Sequence, residues 1–433
     1  MICDFFEEGN GENAMKRLMI LGSMDEFIQL VQTARERGYY TIVCDGYEDG
    51  PAKKYADVSY DIDIRQVDRV VEVCQKENVD GIIASFSDIL FEYLVKIAHK
   101  AGLKTYCTPE NSLWLRSKEK MRQMFQELHI PCPSYRVLEG DFTDDSIREL
   151  RFPLVMKPVD GYGSRGVFVV QNKEELRERF PETSKYSIGS DCIMVEEYND
   201  GFEFNMMNWV LDGEVHTLSF ADREKSVEVK GDIPHITRLV YPSHLTDVVY
   251  EEAKAIVQKV ATFVGIQNGP LCMQFFYRPG EGIQVCECAG RIFGYEHELL
   301  TYSSGFSIED LLLDYVYDEE SMRNRVKAHS IHLPQISCGM YFHGHEGTVS
   351  GMEEVEAKIS KFLPLEYKIF YKNGELISHQ VGAKPYVIQV DLAANSYEEL
   401  DDICNRLIRD LSVKDVDGRE LLYHSEIRIR DGR

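Results

Sequence analysis

Apolar residues in the first hundred positions alternate between short strand-like runs and segments with helical spacing. Residues 18–21 predict a strand, residues 27–34 a helix and residues 40–44 a second strand. The alternation continues through a helix at 67–74, strands at 81–84 and 105–107, and a helix at 90–98 between them. This order predicts an α/β domain with a parallel sheet and helices on both faces.

The pattern changes after a helix that begins near Ser117. Antiparallel strands are predicted at 152–157, 166–170, 192–196, 204–211 and 215–218, the last two joined by the hairpin signal Asp212-Gly213. Residues 222–243 are polar, and they predict a long irregular connection of functional importance. A helix at 248–264 and a hairpin of strands 271–277 and 283–288 follow. From about residue 327, short strands with one helix at 397–411 predict a small α+β domain.

Charge narrows the classes of protein. The 433 residues include 48 basic and 73 acidic side chains, a net charge of −25, which excludes a general nucleic-acid binder. An anionic substrate would need a local basic pocket, because the overall field repels it. The sequence contains no run that predicts a membrane span, and its start is acidic where a signal peptide would be basic. Eleven cysteines without framework spacing predict reduced thiols and a cytoplasmic protein.

The turn after the first predicted strand argues against dinucleotide binding, a common function of α/β domains. Gly22-Ser23-Met24 lacks the three glycines that allow a dinucleotide pyrophosphate to approach a helix N-terminus. NAD binding is therefore disfavoured.

A lysine and a glycine-rich loop form the first group of candidate residues. Lys157 ends a strand, and a return strand follows a loop that contains Gly161, Gly163, Ser164 and Gly166. Backbone N–H groups of such a loop can close over phosphate oxygens while the lysine supplies a charge. No Lys-Ser or Lys-Thr follows the glycines, so this is not a Walker loop, and an ordinary glycine-rich turn is the alternative.

Acidic residues at the end of the next strand form the second group. A strand that leaves its sheet at Glu196 would expose backbone groups to an adenine edge, beside Glu197 and Tyr198. Glu203, seven residues on, can accept hydrogen bonds from ribose hydroxyls. Solvated acidic side chains at a strand end are the alternative.

The third group lies on the predicted hairpin. A loop of about six residues would place Gln274 directly opposite Glu287, with Cβ atoms about 5 Å apart. One divalent cation could then bridge both side chains to nucleotide phosphates. Arg291 could reach a transferred phosphoryl group. A surface Gln–Glu pair is the alternative.

In this order the three groups resemble the ATP-grasp superfamily. Ser117-Lys118 and Pro131 resemble the family's first nucleotide-binding lysine and the proline-containing stretch after it. The resemblance implies an N-terminal extension (1–15), a pre-ATP-grasp α/β domain (16–106), a two-lobed ATP-grasp domain (107–326) with a mobile lid lobe (about 153–215), and a C-terminal α+β domain (327–433). It implies the following roles: Lys118, Lys157, Gly161, Gly163, Ser164 and Gly166 for the ATP phosphates, Glu196, Glu197 and Tyr198 for adenine, Glu203 for ribose, Gln274 and Glu287 for Mg²⁺, and Arg291 and Lys157 for catalysis.

One position departs from the family pattern. The metal strand usually reads Glu-x-Asn-x-Arg, but here Ala289 stands where the asparagine would be. Alanine offers no oxygen ligand, so both one and two Mg²⁺ (or Mn²⁺) ions are compatible with the sequence.

The resemblance implies an ATP-dependent carboxylate–amine ligase that forms an acyl phosphate, releases ADP and couples the acyl group to an amine. A carbamoyl-phosphate-synthase-like or bicarbonate-activating enzyme, suggested by Gln274, is one alternative. A degenerate ATP-binding regulatory protein, suggested by Ala289, is another. Small-molecule carboxylate and amine substrates are the expected partners, with neither nucleic acid nor a membrane, and analogy with biotin-carboxylase-like relatives predicts a homodimer.

Other candidate groups have simpler interpretations. His343 and His345 share a strand side but lack a third ligand at metal spacing, so they are interpreted as surface histidines. Cys286 and Cys288 are interpreted as core thiols. The remaining pair, Lys230 and Arg238 in segment 222–243, is interpreted as solvated charge.

Overall fold

The computed structural model describes residues 15–159, 166–187, 191–226, 235–294, 296–378, 384 and 386–424. The N-terminal part contains β1 (Arg17–Leu21), α1 (Ile28–Glu36), β2 (Tyr40–Asp45), β3 (Val58–Asp61), α2 (Val67–Lys76), β4 (Gly81–Ile83) and α3 (Asp88–Ala101). Its four strands are all parallel, in the order β3-β2-β1-β4. The predicted α/β arrangement is confirmed.

The strand predicted at 105–107 is wrong. These residues contact the core through side chains, and the hydroxyl of Tyr106 donates a hydrogen bond to the Gly290 carbonyl at 2.7 Å. The chain then enters α4 (Pro109–Arg116), where Thr108 Oγ1 accepts from the Asn111 N–H. Ser117 caps α5 (Lys118–Glu127) in the same manner, which fixes Lys118 in the first turn of that helix.

A small antiparallel lobe follows. It contains β5 (Tyr135–Leu138), β6 (Leu154–Pro158), β7 (Phe168–Val170), α6 (Lys173–Ser184) and β8 (Ile193–Glu197). The strand order is β5-β8-β6-β7, and the lobe has its own core, formed by residues such as Leu154, Met156, Leu176 and Val195. The helix α6 was not predicted, because most of its residues are polar and only Leu176, Phe180 and Thr183 are buried.

The largest sheet begins with β9 (Phe202–Leu211), β10 (Glu214–Lys225) and β11 (Ile236–Tyr241). It continues after α7 (Thr246–Val264) with β12 (Asn268–Pro270), β13 (Cys272–Arg278) and β14 (Gly282–Ala289). The predicted irregular connection at 222–243 is wrong at both ends, because β10 extends to Lys225 and β11 begins at Ile236. Among the described residues of this segment, Asp222 and Arg238 are fully buried strand residues.

The C-terminal part completes this sheet. Helices α8 (His297–Ser304), α9 (Ile308–Tyr317) and α10 (Glu319–Ala328) precede β15 (Ile336–Phe342), β16 (Gly347–Ser350), α11 (Met352–Ile359), β17 (Glu366–Ile369), β18 (Leu376–Ile377), β19 (Ile388–Ala394), α12 (Tyr397–Asp410) and β20 (Lys414–Asp415). Over the described residues the sheet order is β14-β13-β9-β10-β11-β15-β19-β17, with β12 beside β9. A separate small sheet has the order β18-β16-β20.

The C-terminal α+β class is confirmed, but the expectation of one helix is wrong because α11 packs Val355 and Ile359 into the core. None of the helices in the described ranges combines the length and the apolar character needed to cross a membrane.

Candidate active site

Three oxygen- or nitrogen-bearing side chains form a row across three neighbouring strands. Gln274 on β13 is paired with Glu287 on β14, and the predicted direct opposition is confirmed. On its other side Gln274 is paired with Asn205 on β9. Directly opposed residues share one face of a sheet, so the three side chains point to the same side. A bulge follows Gln274, and Gln274 and Asn205 are both buried.

Cationic side chains surround this row. Glu287 acts electrostatically on Lys118, Arg223 and Arg291, which come from α5, β10 and the segment after β14. Burial and the like charge of Lys157 lower the pKa of Lys118 to about 8, against the opposing effect of Glu287. Two lysines that repel each other in a buried site favour an anionic ligand between them.

Lys157 is held by a buried ion-pair network. Its Nζ lies 2.5 Å from Glu196 Oε2, and Arg122 Nε donates to Glu196 Oε1 at 2.6 Å. Burial alone would raise the pKa of Glu196, but the charges of Arg122 and Lys157 hold it below its usual value. Arg122 also donates to the Cys286 carbonyl at 2.8 Å, which attaches the small lobe to β14.

The candidate adenine residues occupy two different environments. Glu196 is buried between its cations, whereas Glu197 forms a two-point pair with Arg151, whose side chain is 87% exposed. The prediction that the strand leaves the sheet at Glu196 is wrong by one residue, because β8 extends to Glu197. The Glu197 N–H donates to the Ser134 carbonyl at 2.9 Å, and the Tyr198 N–H donates to the Pro153 carbonyl at 3.0 Å.

Glu203 is an anchor for two cations. It lies on β9 opposite Arg223, whose Nε is 3.1 Å from Glu203 Oε2, and Lys225 contacts the other carboxylate oxygen. Glu203 is 4% exposed. The same sheet face therefore carries Glu203, Asn205, Arg223 and Lys225, next to Gln274.

Arg291 is oriented by the N-terminal domain. Its Nε donates to Asp88 Oδ1 at 2.9 Å and its Nη2 to Asp88 Oδ2 at 3.1 Å. Asp88 begins α3, and Phe86 forms a bridge to Phe293 just beyond the arginine. This two-point geometry fixes the plane of the guanidinium beside Glu287.

A second carboxylate, Glu296, was not singled out from the sequence. It is buried, and it accepts hydrogen bonds from Asn205 Nδ2 at 3.1 and 3.2 Å and from the Tyr241 hydroxyl at 2.7 Å. Asn205 Oδ1 has no hydrogen-bond partner among the described residues. Glu296 thus binds the donor end of the amide and leaves the oxygen available as an acceptor.

Sequence analysis also missed Asn205, Arg223 and Lys225. The period-two spacing of 203 with 205, and of 223 with 225, places each pair on one strand face. That signal was hidden because residues 222–225 were interpreted as part of a loop.

Part of the predicted phosphate loop lies outside the described residues, namely Gly161, Gly163 and Ser164. Gly166 is described, with φ 68°, and a Cβ there would lie 2.5 Å from the Tyr186 ring. Glycine is therefore required at this position, because both the positive φ and the lack of space for a Cβ disfavour any other residue. Lys230 also lies outside the described residues.

The simpler interpretations of the other candidates fare differently. Burial raises the pKa of Cys286 to about 12, as expected of a core thiol. Arg238 is not solvated: it is buried, with Nε 2.9 Å from Glu224 Oε2 and Nη2 2.7 Å from Asp401 Oδ1. His343 is half-buried and hydrogen-bonds the Ile236 carbonyl at 2.9 Å. Among the described residues no group of three His, Cys, Asp or Glu side chains has metal-binding geometry.

Comparison with known proteins agrees with this geometry. Residues 150–297 match the family model described as an ATP-grasp domain. The formate-dependent phosphoribosylglycinamide formyltransferase of Methanocaldococcus jannaschii is 23% identical over 253 residues, which are 58% of this chain and 63% of that protein. This chain therefore matches less than two thirds of that relative's length.

Solved structures show the same fold over more of the chain. The L-amino acid ligase from Bacillus licheniformis superposes with a TM-score of 0.77 at 21% identity, over 92% of this chain and 98% of that one. The biotin carboxylase domain of the Hydrogenobacter thermophilus 2-oxoglutarate carboxylase, in complex with MgADP, ADP and bicarbonate, gives 0.71 at 14% identity, over 94% and 92%. The family model and the fold of these structures agree that residues 150–297 form an ATP-grasp domain.

Proposed function

We propose that the protein is an ATP-dependent ligase that activates a carboxylate as an acyl phosphate and transfers the acyl group to an amine. The observation that carries the proposal is the row Asn205–Gln274–Glu287, with Lys118, Arg223 and Arg291 within electrostatic reach of Glu287. A carboxylate and a triphosphate are both anionic, so their approach requires cations of this kind.

The reaction has two steps. A carboxylate oxygen attacks the γ-phosphorus of ATP, the bond to the β–γ bridging oxygen breaks, and ADP leaves. The amine nitrogen then attacks the acyl carbon, inorganic phosphate leaves and the amine gives up a proton. Arg291, held by Asp88, would stabilise the charge on the transferred phosphoryl group.

Nucleotide binding is assigned to the cleft between the small lobe and the large sheet. Lys118 and Lys157 would contact the phosphates, with the glycine loop above them, and the mutual repulsion of these lysines supports this role. The β8 end at Glu196, Glu197 and Tyr198 would lie beside adenine. Glu203 would contact the ribose through the same carboxylate that pairs with Arg223 and Lys225.

Magnesium is assigned to Gln274 and Glu287, with Asn205 as a third oxygen ligand. Asn205 Oδ1 is a buried acceptor without a hydrogen-bond partner among the described residues, and it lies next to Gln274. Carbonyl and carboxylate oxygens are the ligands that Mg²⁺ and Mn²⁺ prefer, so the donor set fits the ion. When bound, the ion would neutralise phosphate charge. Asn205 compensates for Ala289, which faces Cys272 and has no oxygen to offer.

The lobe of residues 153–215 is proposed to close over the nucleotide. The residues of this lobe up to Val195 share a hydrophobic core that is separate from those of the large sheet, so they can move as a unit. Residues 202–215 belong to β9 and β10 of the large sheet and would stay with it. Closure would exclude water from the acyl phosphate, which hydrolyses readily. A homodimer remains a proposal by analogy with biotin-carboxylase-like proteins.

Two further functions stay testable. Gln274 in place of a carboxylate favours a bicarbonate-activating or carbamoyl-phosphate-forming enzyme. Ala289 favours a regulatory protein that binds ATP without turnover. The name of the formyltransferase relative adds formate to the carboxylates worth testing.

The experiment is ADP release from Mg·ATP by the purified protein, with carboxylates and amines offered singly and in pairs. Formate, amino acids and bicarbonate would form the carboxylate panel. Lys157→Ala serves as the inactive variant and Lys173→Ala, an exposed lysine of the same lobe paired with Asp144, as its matched control. Release that needs both substrates and is lost only in Lys157→Ala supports the ligase. Full ADP release by Lys157→Ala contradicts it.

A further inference from the structure

A large cavity, of about 860 Å³, opens between the N-terminal domain and the C-terminal part, apart from the proposed nucleotide cleft. The turn before α1, helices α8 and α9, and the strand β17 form its walls. Seven carboxylates and two lysines line it, together with apolar side chains such as Ile28 and Phe370. The lining is thus far more acidic than the phosphate side of the cleft.

Four of these carboxylates have cationic partners. Arg37 Nη1 lies 2.6 Å from Asp314 Oδ1 and also contacts Asp310, while His297 Nε2 lies 3.0 Å from Glu309 Oε1. Glu298 and Glu366 share Lys368, at 3.1 and 3.8 Å. The second lining lysine, Lys384, is paired with Glu375 outside the cavity.

Three carboxylates remain, because Asp25, Glu26 and Glu36 form no direct ion pair within the described part of the chain. Glu26 is 7% exposed, and its Oε2 has no hydrogen-bond partner within the described part of the chain. Burial raises the pKa of Glu26 to about 8, against the charge of His297. At neutral pH the side chain of Glu26 is therefore mostly protonated, although the charges of His297, Arg291 and Lys368 act on it. A cationic ligand in the cavity would add to these charges and favour the ionised form of Glu26.

Glu26 also connects this cavity to the phosphoryl site. A Cβ at Gly294 would lie 2.5 Å from Glu26 Oε2, so the carboxylate rests against the segment that begins at Arg291. The charge of Arg291 acts on Glu26 as well. Glu26 thus lies within electrostatic reach of the arginine that the proposed reaction uses, which relates the cavity to the phosphoryl site.

From these contacts we infer that the cavity binds the amine substrate, and that this substrate carries a second positive charge and no phosphate group. The inference rests on the proposed ligase reaction. The attacking amine must be neutral when it reacts, so a single amino group would leave Asp25, Glu26 and Glu36 unmatched. A phosphate would meet a lining in which Lys368 is already shared by two carboxylates. The substrate class therefore differs from the phosphoribosyl compound in the name of the formyltransferase relative.

The test is calorimetric binding without ATP, using three probes: L-lysinamide, L-norleucinamide and O-phosphoethanolamine. Lysinamide and norleucinamide differ by one ammonium group, so their comparison isolates the second charge. We expect lysinamide to bind about tenfold more tightly than norleucinamide, and O-phosphoethanolamine to bind most weakly. In Glu26→Gln the preference should fall to about twofold or less, while Glu346→Gln, an exposed carboxylate elsewhere, should keep it.

Equal binding of lysinamide and norleucinamide, or tighter binding of O-phosphoethanolamine, would overturn the inference. So would an unchanged preference in Glu26→Gln. If Glu26→Gln does not fold, Asp25→Asn on the same turn should reduce the preference instead. The binding test contains no ATP, so it is independent of the ligase reaction. If the preference depends on Glu26 but no substrate pair supports ADP release, only the proposed ligase reaction is contradicted. Normal ADP release without the preference would count against the cationic cavity alone.

Discussion

Arg291 and Asp88 join the two halves of the candidate active site by a two-point ion pair, with Nε–Oδ1 2.9 Å and Nη2–Oδ2 3.1 Å. The arginine follows β14, the strand that carries Glu287, and the aspartate begins α3 of the N-terminal domain. The N-terminal domain therefore positions a side chain that the proposed chemistry uses, although it contributes no phosphate loop of its own.

Asp88→Asn tests this positioning. Arg291 would lose its ionised partner and its fixed orientation, so kcat for ADP release should fall roughly tenfold to hundredfold while the KM for ATP changes little. Steady-state kinetics would measure both constants. Asp68→Asn, which removes an exposed carboxylate paired with Lys100 in the same domain, is the control and should leave kcat unchanged. An unaltered kcat in Asp88→Asn would contradict the positioning role.

Neighbouring Glu196 and Glu197 should differ sharply in their effect on stability. Glu196→Ala would leave Arg122 and Lys157 buried without their anion, at a cost of about 3–5 kcal/mol in the free energy of unfolding. Glu197→Ala removes a pair whose arginine is largely exposed, at a cost of at most about 1 kcal/mol. Urea denaturation of both variants checks the contrast. Equal losses would mean that the network around Lys157 is not buried as described.

Asn205→Ala tests the proposed role of this residue as a third magnesium ligand. Loss of its oxygen should raise the Mg²⁺ concentration for half-maximal ADP release about tenfold, with a smaller effect on the KM for the amine. Asn208→Ala, on the opposite face of β9, controls for disturbance of the strand. A magnesium titration identical to that of the unmodified protein would restrict the site to Gln274 and Glu287.

Two buried carboxyl groups, Glu26 at the acidic cavity and Asp391 on β19, predict a distinctive dependence of stability on pH. Burial raises the pKa of Glu26 and of Asp391 to about 8, above their ordinary values of 4.5 and 3.8. The folded state therefore binds more protons than the unfolded state between about pH 4 and 8. The stability that these groups contribute is complete at low pH and is lost as the pH rises through 8, by up to about 1.4 kcal/mol per pH unit for each group.

Glu26→Gln should reduce this loss, so the variant should be more stable than the unmodified protein at pH 8.5 and closer to it at pH 5. Urea titrations at both values, with Glu346→Gln for comparison, measure the difference. A pH profile that is the same with and without Glu26 would contradict the raised pKa of this buried carboxyl group.

Local patterns were enough to predict several parts of the site. The opposition of Gln274 and Glu287 follows from the length of one hairpin loop, and the position of Lys157 follows from one strand and the glycines after it. The parallel sheet followed from alternating periodicities. In each case the residues concerned are close in the chain, so spacing alone determines their geometry.

Features that depend on distant residues were beyond such reasoning. Asp88 and Arg291 are 203 residues apart, and Glu296 reaches Asn205 across 91. Arg223 and Arg238 were interpreted within a polar connection, because strand residues that face a charged interior look like a loop when burial is unknown. The polar composition of α6 concealed that helix, and the length of only 8 residues concealed α11.

The most direct measurement of the central claim is oxygen transfer during ADP release. The protein would be incubated with Mg·ATP, an amine and a carboxylate labelled with ¹⁸O, using whichever pair of the panel supports release, and the inorganic phosphate would be examined by mass spectrometry. An acyl phosphate requires that one ¹⁸O pass from the carboxylate to each phosphate released, and that this be lost in Lys157→Ala. Phosphate that carries no label, or formation of AMP in place of ADP, would contradict the proposed mechanism.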